Sequence, residues 1–278
     1  MSWRRRIATI SPIACSGTRR SDVDLIVTED DAALSRVAAT QIAEIIVARP
    51  TAAIVLATGS SPMATYQELA AIVGREGIDV SRLRVFQLDE YLGLAADDRR
   101  TLYGWMRRGV LAPLGIGDEQ VVRLPSDAAD PELASQQYEA AVAAVGGFDL
   151  SVLGLGPNGH LGFNEPPSPA TAPTRAVSLT AESIASNGRY WGGAELVPRA
   201  ALTAGMDLLL AARRTLLLVP GAHKRAILQT TVRGPITPEV PASFLQAIPG
   251  VTVIADRAAR GEAPLPEPAA AGVGVGAA

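Results

Sequence analysis

Short apolar segments alternate with longer amphipathic segments through most of this chain. The apolar segments predict strands, and the stretches between them carry apolar residues at helical spacing. We predict strands over residues 23–27, 52–56, 85–88, 148–155, 216–219 and 251–255. We predict helices over residues 31–47, 62–73 and 131–145, and further helices that begin near Thr101 and Ala222. Because such alternation forms mostly parallel sheets, it favours a three-layer α/β/α fold on a Rossmann-like sheet.

Length and composition favour one globular domain. The 278 residues are 48% hydrophobic and 19% charged, and no Gly/Ser linker divides them. We predict a single domain over residues 22–260, a disordered N-terminal extension over 1–21 and a disordered tail over 261–278. Arg4–Arg6 and the weakly apolar stretch before Cys15 imitate a lipoprotein export signal, but Ser11 and Pro12 interrupt that stretch.

The charge balance excludes several classes of partner. There are 25 basic and 28 acidic residues, which gives no general attraction to nucleic acid or to an anionic membrane. No apolar run approaches the roughly 20 residues of a membrane span. The single cysteine excludes an internal disulfide framework, and we expect a cytoplasmic protein.

A glycine-rich segment ends the predicted strand over residues 148–155. Gly154, Gly156 and Gly159 resemble a dinucleotide fingerprint, which requires a helix to follow at once. The following residues include Pro166, Pro167 and Pro169, which exclude that helix. We therefore predict a loop that carries polar, chemically active side chains.

Polar clusters follow four of the predicted strands, at residues 58–62, 89–91, 158–165 and 223–224. Since the carboxyl ends of parallel strands meet at one edge of a sheet, we expect these clusters to converge. Their convergence would form a site for a small molecule.

One cluster has the composition of an anion site. Thr58, Gly59, Ser60 and Ser61 precede a predicted helix, where backbone N–H groups, hydroxyls and the helix terminus attract phosphate. An ordinary serine cap of the helix is the alternative. Lys224, the only lysine among the 25 basic residues, supports phosphate binding because it keeps a compact point charge in an arginine-rich chain.

Two clusters have the composition of acid–base sites. Asp89, at a buried strand end, is a candidate general base, although a cap or a salt bridge is the alternative. His160 and Glu165 are a candidate pair in which the carboxylate orients the imidazole, against a structural histidine. The chain lacks a serine nucleophile elbow, a Walker A motif and a Cys/His metal cluster. These residues predict proton transfer on a phosphorylated metabolite, with no metal or redox cofactor.

Six motifs together resemble the glucosamine-6-phosphate deaminase family, within the wider group that includes 6-phosphogluconolactonases. They occur in the family's order over about residues 22–258 and are Leu56-Ala57-Thr58-Gly59-Ser60-Ser61-Pro62, Leu88-Asp89-Glu90-Tyr91, Gly156-Pro157-Asn158-Gly159-His160 with Phe163-Asn164-Glu165-Pro166, Ser186-Asn187-Gly188-Arg189, Ala201-Leu202-Thr203 and Gly221-Ala222-His223-Lys224. The Phe163–Pro166 segment resembles deaminases and not lactonases.

The resemblance implies conversion of glucosamine 6-phosphate and water to fructose 6-phosphate and ammonia. It implies that Asp89 moves a proton between C2 and C1, and that His160 assists ring opening with Glu165 as its partner. It also implies phosphate binding by Thr58, Gly59, Ser60, Ser61, Arg189 and Lys224. A lactonase of the same fold, a galactosamine-6-phosphate deaminase and a non-catalytic sugar-phosphate sensor are the alternatives. The sequence is compatible with a homo-oligomer.

Two positions depart from the family pattern. Asn158 stands where many members carry aspartate, so the charge that would stabilise a protonated His160 is absent. We expect His160 to titrate lower for that reason. Arg175 matches an arginine of the allosteric pocket in regulated members, but Val177 stands where those carry lysine. We therefore expect activation by N-acetylglucosamine 6-phosphate to be weak or absent.

Overall fold

Seven parallel strands form the main sheet of this computed structural model, which describes residues 23–262. The strands are β1 (Asp24–Thr28), β2 (Ala53–Leu56), β3 (Arg84–Gln87), β5 (Val121–Val122), β6 (Leu150–Gly154), β9 (Thr215–Val219) and β10 (Val251–Asp256). They lie in the order β1-β10-β9-β6-β2-β3-β5. The extension predicted over 1–21 and most of the tail predicted over 261–278 lie outside the described residues.

A second, antiparallel sheet of three strands lies beside the main one. Its strands are β4 (Asp89–Tyr91), β7 (Arg175–Ser178) and β8 (Ala200–Thr203), in the order β4-β8-β7. The sequence did not predict β7 or β8, because both are only four residues long and β7 alternates between half-buried and exposed positions. β7 therefore lacks the buried apolar run of a central strand, whereas β8 is buried at three of its four positions but has only one large apolar residue, Leu202.

Helices connect the strands. They are α1 (Asp31–Ala48), α2 (Ser60–Glu76), α3 (Leu102–Met106), α4 (Ala112–Leu114), α5 (Pro131–Ala144), α6 (Ala181–Trp191), α7 (Met206–Leu210), α8 (Arg225–Arg233) and α9 (Arg257–Arg260), with a π-helical turn over Arg107–Leu111. The boundaries of α1 follow the sequence closely, since the Asp30 side chain caps it by accepting a hydrogen bond from Ala33 N at 2.7 Å. None of the helices between residues 23 and 262 is long and apolar enough to cross a membrane.

Helices cover both faces of the main sheet. Alternate strand residues point to opposite faces, so Val55 and Leu217 enter one apolar core while Ile54 and Leu216 enter the other. The first core is closed by α5, through Tyr138 among others. The second is closed by α1 and α2. The predicted three-layer α/β/α fold is confirmed.

Four adjacent central strands, β9, β6, β2 and β3, carry the polar clusters singled out in the sequence. One expectation needs correction: residues 89–91 do not belong to a loop after β3. The chain leaves the main sheet at Leu88, and Asp89–Tyr91 pair with β8 in the second sheet. The antiparallel pairing holds Asp89 on a strand.

Candidate active site

A cavity opens at the carboxyl ends of β2, β6 and β9, with β4 and α6 on its other sides. Its empty space is about 800 Å³, a figure that includes the part open to solvent. Eight of the ten predicted site residues line it: Thr58, Gly59, Ser60, Ser61, Asp89, His160, Arg189 and Lys224. The remaining two, Asn158 and Glu165, do not line it. The predicted convergence of the strand ends is therefore confirmed.

The start of α2 forms one end of this cavity. Gly59 precedes the helix with a φ of 103°, a left-handed conformation that glycine adopts without strain. No side chain caps α2, so the alternative of an ordinary serine cap is wrong. The first backbone N–H groups of a helix have no partner within the helix, and here they remain available to a bound anion.

Two cations face this end of the cavity. Lys224 and Arg189 form no ion pair with a carboxylate of the described residues. Burial, and secondly the nearby Arg189 charge, lower the pKa of Lys224. Two like charges that lie together without a counter-ion favour binding of an anion, which would relieve their repulsion.

Asp89 lines the same cavity from β4. It is 9% exposed, and its carboxylate accepts no hydrogen bond from a described residue, although its main-chain carbonyl accepts one from Gln87 Nε2 at 2.8 Å. Burial, and secondly the adjacent Glu90 carboxylate, raise the pKa of Asp89 to about 8. A carboxylate with so high a pKa can exchange protons near neutral pH, which is what a general base requires.

Glu90 does not line the cavity, and its side chain has a structural role. Its carboxylate accepts hydrogen bonds from the main-chain N–H groups of Tyr91, Leu102 and Tyr103 at 2.8–2.9 Å, and from Gln87 Nε2 at 2.9 Å. These bonds fasten the start of α3 to β4. The two adjacent carboxylates therefore have different surroundings. That of Asp89 is buried and accepts no hydrogen bond from a described residue, whereas that of Glu90 accepts four.

His160 faces the cavity from the loop after β6. Its Nδ1 is buried and has no hydrogen-bond partner among residues 23–262. Burial, and secondly the Lys224 charge, lower the pKa of His160 to about 4. The imidazole is therefore neutral at pH 7 and able to accept a proton.

The hydrogen bond expected between Glu165 and His160 does not form. Glu165 Oε2 instead accepts a hydrogen bond from Thr180 N at 2.7 Å, at the start of α6, and Glu165 Oε1 is buried without a partner among the described residues. Asn158 Oδ1 accepts a hydrogen bond from the His160 main-chain N–H at 3.3 Å. Asn158 therefore contacts the loop that carries His160, and Glu165 contacts the start of the helix that carries Arg189.

Gly156 gives the His160 imidazole its space. The backbone φ of Gly156 suits any residue, but a Cβ atom there would overlap the imidazole ring. We expect Gly156→Ala to displace the ring and to lower kcat about 10²-fold, the loss typical of a catalytic group moved by about 1 Å. Steady-state kinetics measure the loss, and thermal unfolding checks the fold. Wild-type kcat in this variant would contradict the placement of His160.

Asn158 offers a test of the imidazole's charge. We expect Asn158→Asp to raise the pKa of His160, because a carboxylate near the ring favours the protonated form. Protonation of Asp89 already lowers kcat/KM below about pH 8. If neutral His160 is also required, a second, steeper acidic limb should begin near pH 4 in the wild type and shift upward by about one pH unit in the variant. A pH–rate profile measures this. An unmoved acidic limb would show that position 158 does not set this pKa.

Arg175 is already engaged within the chain. Arg175 Nη1 donates hydrogen bonds to Asn164 Oδ1 at 2.8 Å and to Pro173 O at 3.0 Å, and Nη2 donates one to Ser168 Oγ at 3.1 Å. These contacts tie the loop after β6 to β7. The expectation of weak or absent activation by N-acetylglucosamine 6-phosphate, drawn from Val177, stays a prediction.

The sequence motifs did not identify two aromatic residues of the cavity wall. Tyr190 on α6 and Trp105 on α3 both line the cavity, and their rings lie edge to face with centroids 5.3 Å apart. Trp105 belongs to no recognisable motif, and its helix is only five residues long. Tyr190 follows Arg189 directly, which is the one signal that could have identified it.

Fold and site together define an α/β protein whose cleft holds two cations without a carboxylate partner among the described residues and a buried carboxylate of raised pKa. A family model described as glucosamine-6-phosphate isomerases/6-phosphogluconolactonase matches residues 29–254. The chain belongs to this family.

Individual relatives agree with this assignment. The chain is 42% identical over 236 residues to a glucosamine-6-phosphate deaminase of Rhodopirellula baltica, covering 84% of this chain and 93% of that protein. It is 39% identical over 237 residues to one of Cutibacterium acnes, covering 85% and 91%. A solved structure described as a monomeric glucosamine-6-phosphate deaminase superimposes with a TM-score of 0.83 at 32% identity, over 86% of this chain and 99% of that chain. A 6-phosphogluconolactonase from Trypanosoma cruzi shares the fold, with a TM-score of 0.68 at 24% identity over 88% of this chain and 98% of that chain.

Proposed function

We propose that this protein is a glucosamine-6-phosphate deaminase, which converts glucosamine 6-phosphate and water to fructose 6-phosphate and ammonia. The relatives named above support the activity. One observation in the structure carries it: a single cavity holds the unpaired carboxylate of Asp89 and the uncompensated cations Lys224 and Arg189. A phosphate bound to the cations would present the sugar to the carboxylate.

Phosphate binding begins the proposed reaction. The N–H groups and hydroxyls of residues 58–61 hold the phosphate oxygens together with Lys224 and Arg189. Neutral His160 then transfers the O1 proton to the ring oxygen O5, and the C1–O5 bond breaks to give an open-chain aldehyde. Asn158 and Glu165 support this step indirectly. Asn158 holds the His160 main chain, and Glu165 holds the start of α6.

Proton transfer by Asp89 follows. Its carboxylate takes the proton from C2 while a water molecule protonates O1, which gives an enolamine. Asp89 then returns its proton to C1, and the nitrogen gives one proton to the hydroxide that the water left. The product carries an imine at C2, and water hydrolyses the C=N bond to leave the ketone and ammonia. No step in this proposal uses a metal or a redox cofactor. We further propose a cytoplasmic location, supported by the single cysteine and by the metabolic role of the relatives.

A coupled assay tests the proposal. Purified protein is mixed with glucosamine 6-phosphate, and ammonia and fructose 6-phosphate are measured together. We expect equal release of both products. Turnover of galactosamine 6-phosphate or 6-phosphogluconolactone alone would overturn the proposed substrate, and sugar-phosphate binding without turnover would identify a sensor.

A further inference from the structure

The hydroxyl of Tyr190 lies between two members of the phosphate site. Arg189 Nη2 donates a hydrogen bond to Tyr190 Oη at 2.6 Å, and Tyr190 Oη donates one to Ser60 Oγ at 2.9 Å. Arg189 Nη2 itself lies 3.5 Å from Ser60 Oγ. The tyrosine therefore joins α6 to the first turn of α2, across the mouth of the cavity.

The direction of these hydrogen bonds decides which hydroxyl proton is still available to a ligand. Tyr190 accepts from the guanidinium and donates to the serine, so the Ser60 hydroxyl proton is left free to donate to another acceptor. A chain of hydrogen bonds that starts at a cation also polarises each following donor. Ser60 is thereby prepared to donate to a phosphate oxygen.

The acceptor of the Arg189 hydrogen bond is uncharged. A carboxylate at this place would neutralise the guanidinium, whereas a phenol orients it and leaves its positive charge intact. The guanidinium carbon also lies 4.6 Å from the centroid of the Tyr190 ring, which holds it without a counter-ion. Arg189 is thus fixed in place as a full cation beside the cavity.

Ring contacts hold both the tyrosine and the residue that follows it on α6. The Tyr190 ring packs against Trp105 on α3 with an interplanar angle of 62°. The next residue, Trp191, packs its ring against Tyr91 of β4, with centroids 5.3 Å apart. These contacts fix the end of α6 although the Tyr190 side chain is 39% exposed.

We propose that Tyr190 is a positioning residue of the phosphate site, whose hydroxyl holds Arg189 at the start of α2 and orients the Ser60 hydroxyl toward a bound phosphate. The inference rests on the proposed function for the identity of the sugar phosphate. The phosphate site itself is testable without turnover.

Calorimetric titration with inorganic phosphate tests the inference, with Tyr190→Phe as the variant. Phenylalanine keeps the ring contact with Trp105 and removes only the hydroxyl. We expect phosphate binding to weaken about fivefold, the loss typical of one hydrogen bond. With glucosamine 6-phosphate, KM should rise by a similar factor while kcat stays within about twofold, because the phosphate is bound equally before and during reaction.

Tyr103→Phe is the matched control. The Tyr103 hydroxyl also donates one hydrogen bond, to Asp118 at 2.8 Å, but Tyr103 does not line the cavity. Its phosphate affinity should equal that of the wild type. The double variant Ser60→Ala/Tyr190→Phe should bind phosphate nearly as well as Ser60→Ala alone, because much of the tyrosine's effect passes through that serine.

Three results would overturn the inference: wild-type phosphate affinity in Tyr190→Phe, equal weakening in Tyr103→Phe, or a fall in kcat with KM unchanged. Absence of phosphate binding to the wild type would overturn it as well, while turnover of glucosamine 6-phosphate would still support the proposed function. If the wild type turns over no amino-sugar phosphate but Tyr190→Phe weakens phosphate binding, the inference holds and the proposed function fails.

Discussion

Asp89→Asn is expected to lower kcat for glucosamine 6-phosphate about 10³-fold and to leave KM nearly unchanged. The amide has the size of the carboxyl group but cannot take a proton from C2, and loss of a general base typically costs 10²–10⁴-fold. Substrate affinity should survive because the substitution leaves the proposed phosphate ligands, Lys224 and Arg189 among them, unchanged. Steady-state kinetics and exchange of the C2 proton with deuterated solvent measure the two effects.

Glu90→Gln is the matched control for this variant. The substitution removes the same charge one residue away, but from a buried carboxylate that accepts three main-chain hydrogen bonds. An amide cannot accept all of them, so we expect the protein to lose roughly 1–3 kcal/mol of stability. Asp89→Asn should instead unfold at no lower a temperature than the wild type, because the amide removes a buried carboxyl group whose raised pKa destabilises the fold above about pH 4. An Asp89→Asn enzyme that retains more than a tenth of wild-type kcat would exclude Asp89 as the base.

The same carboxylate should control the pH dependence of the wild type. The pKa of Asp89 in the free protein is about 8, so the base form becomes populated only as the pH rises through that value. We expect kcat/KM to increase with pH up to about 8 and then to level off. The sign for stability is opposite: between pH 4 and 8 the folded state holds a proton that the unfolded state has lost, so raising the pH destabilises the fold.

Lys224→Met is expected to raise KM about 10²-fold with a smaller effect on kcat. The variant keeps the apolar stem and removes the ammonium group, and truncating a partly buried partner of a charged ligand costs about 2–5 kcal/mol. Lys224→Arg keeps the charge without the compact shape, and we expect its KM to lie between those of the wild type and Lys224→Met. Phosphate titration should give the same order of affinities.

Arg225→Met is the matched control for the lysine. It removes the next cation along the chain, which does not line the cavity. Its KM should equal that of the wild type. If Lys224→Met stays within threefold of the wild-type KM, or if Arg225→Met raises KM equally, Lys224 does not bind the phosphate.

Much of the fold could be predicted because local pattern and burial agree there. The strands of the main sheet, except the two-residue β5, and helices α1, α2, α5 and α8 follow from apolar runs and capping residues. The region over residues 175–210 could not be predicted, because β7 is short and half-exposed and β8 contains a single large apolar residue. Their pairing with β4 depends on contacts between residues far apart in the chain.

The sequence by itself determined which residues could perform chemistry. Asp89, His160 and Lys224 stand out because they follow buried strands, and parallel strands bring such ends to one edge. Only the tertiary structure decided how these residues are supported. It separated Asp89 from the fully bonded Glu90, directed Glu165 to Thr180 instead of His160, and placed Tyr190 between Arg189 and Ser60. These contacts join residues distant in sequence, and their geometry is set by packing of whole elements, which local pattern does not encode.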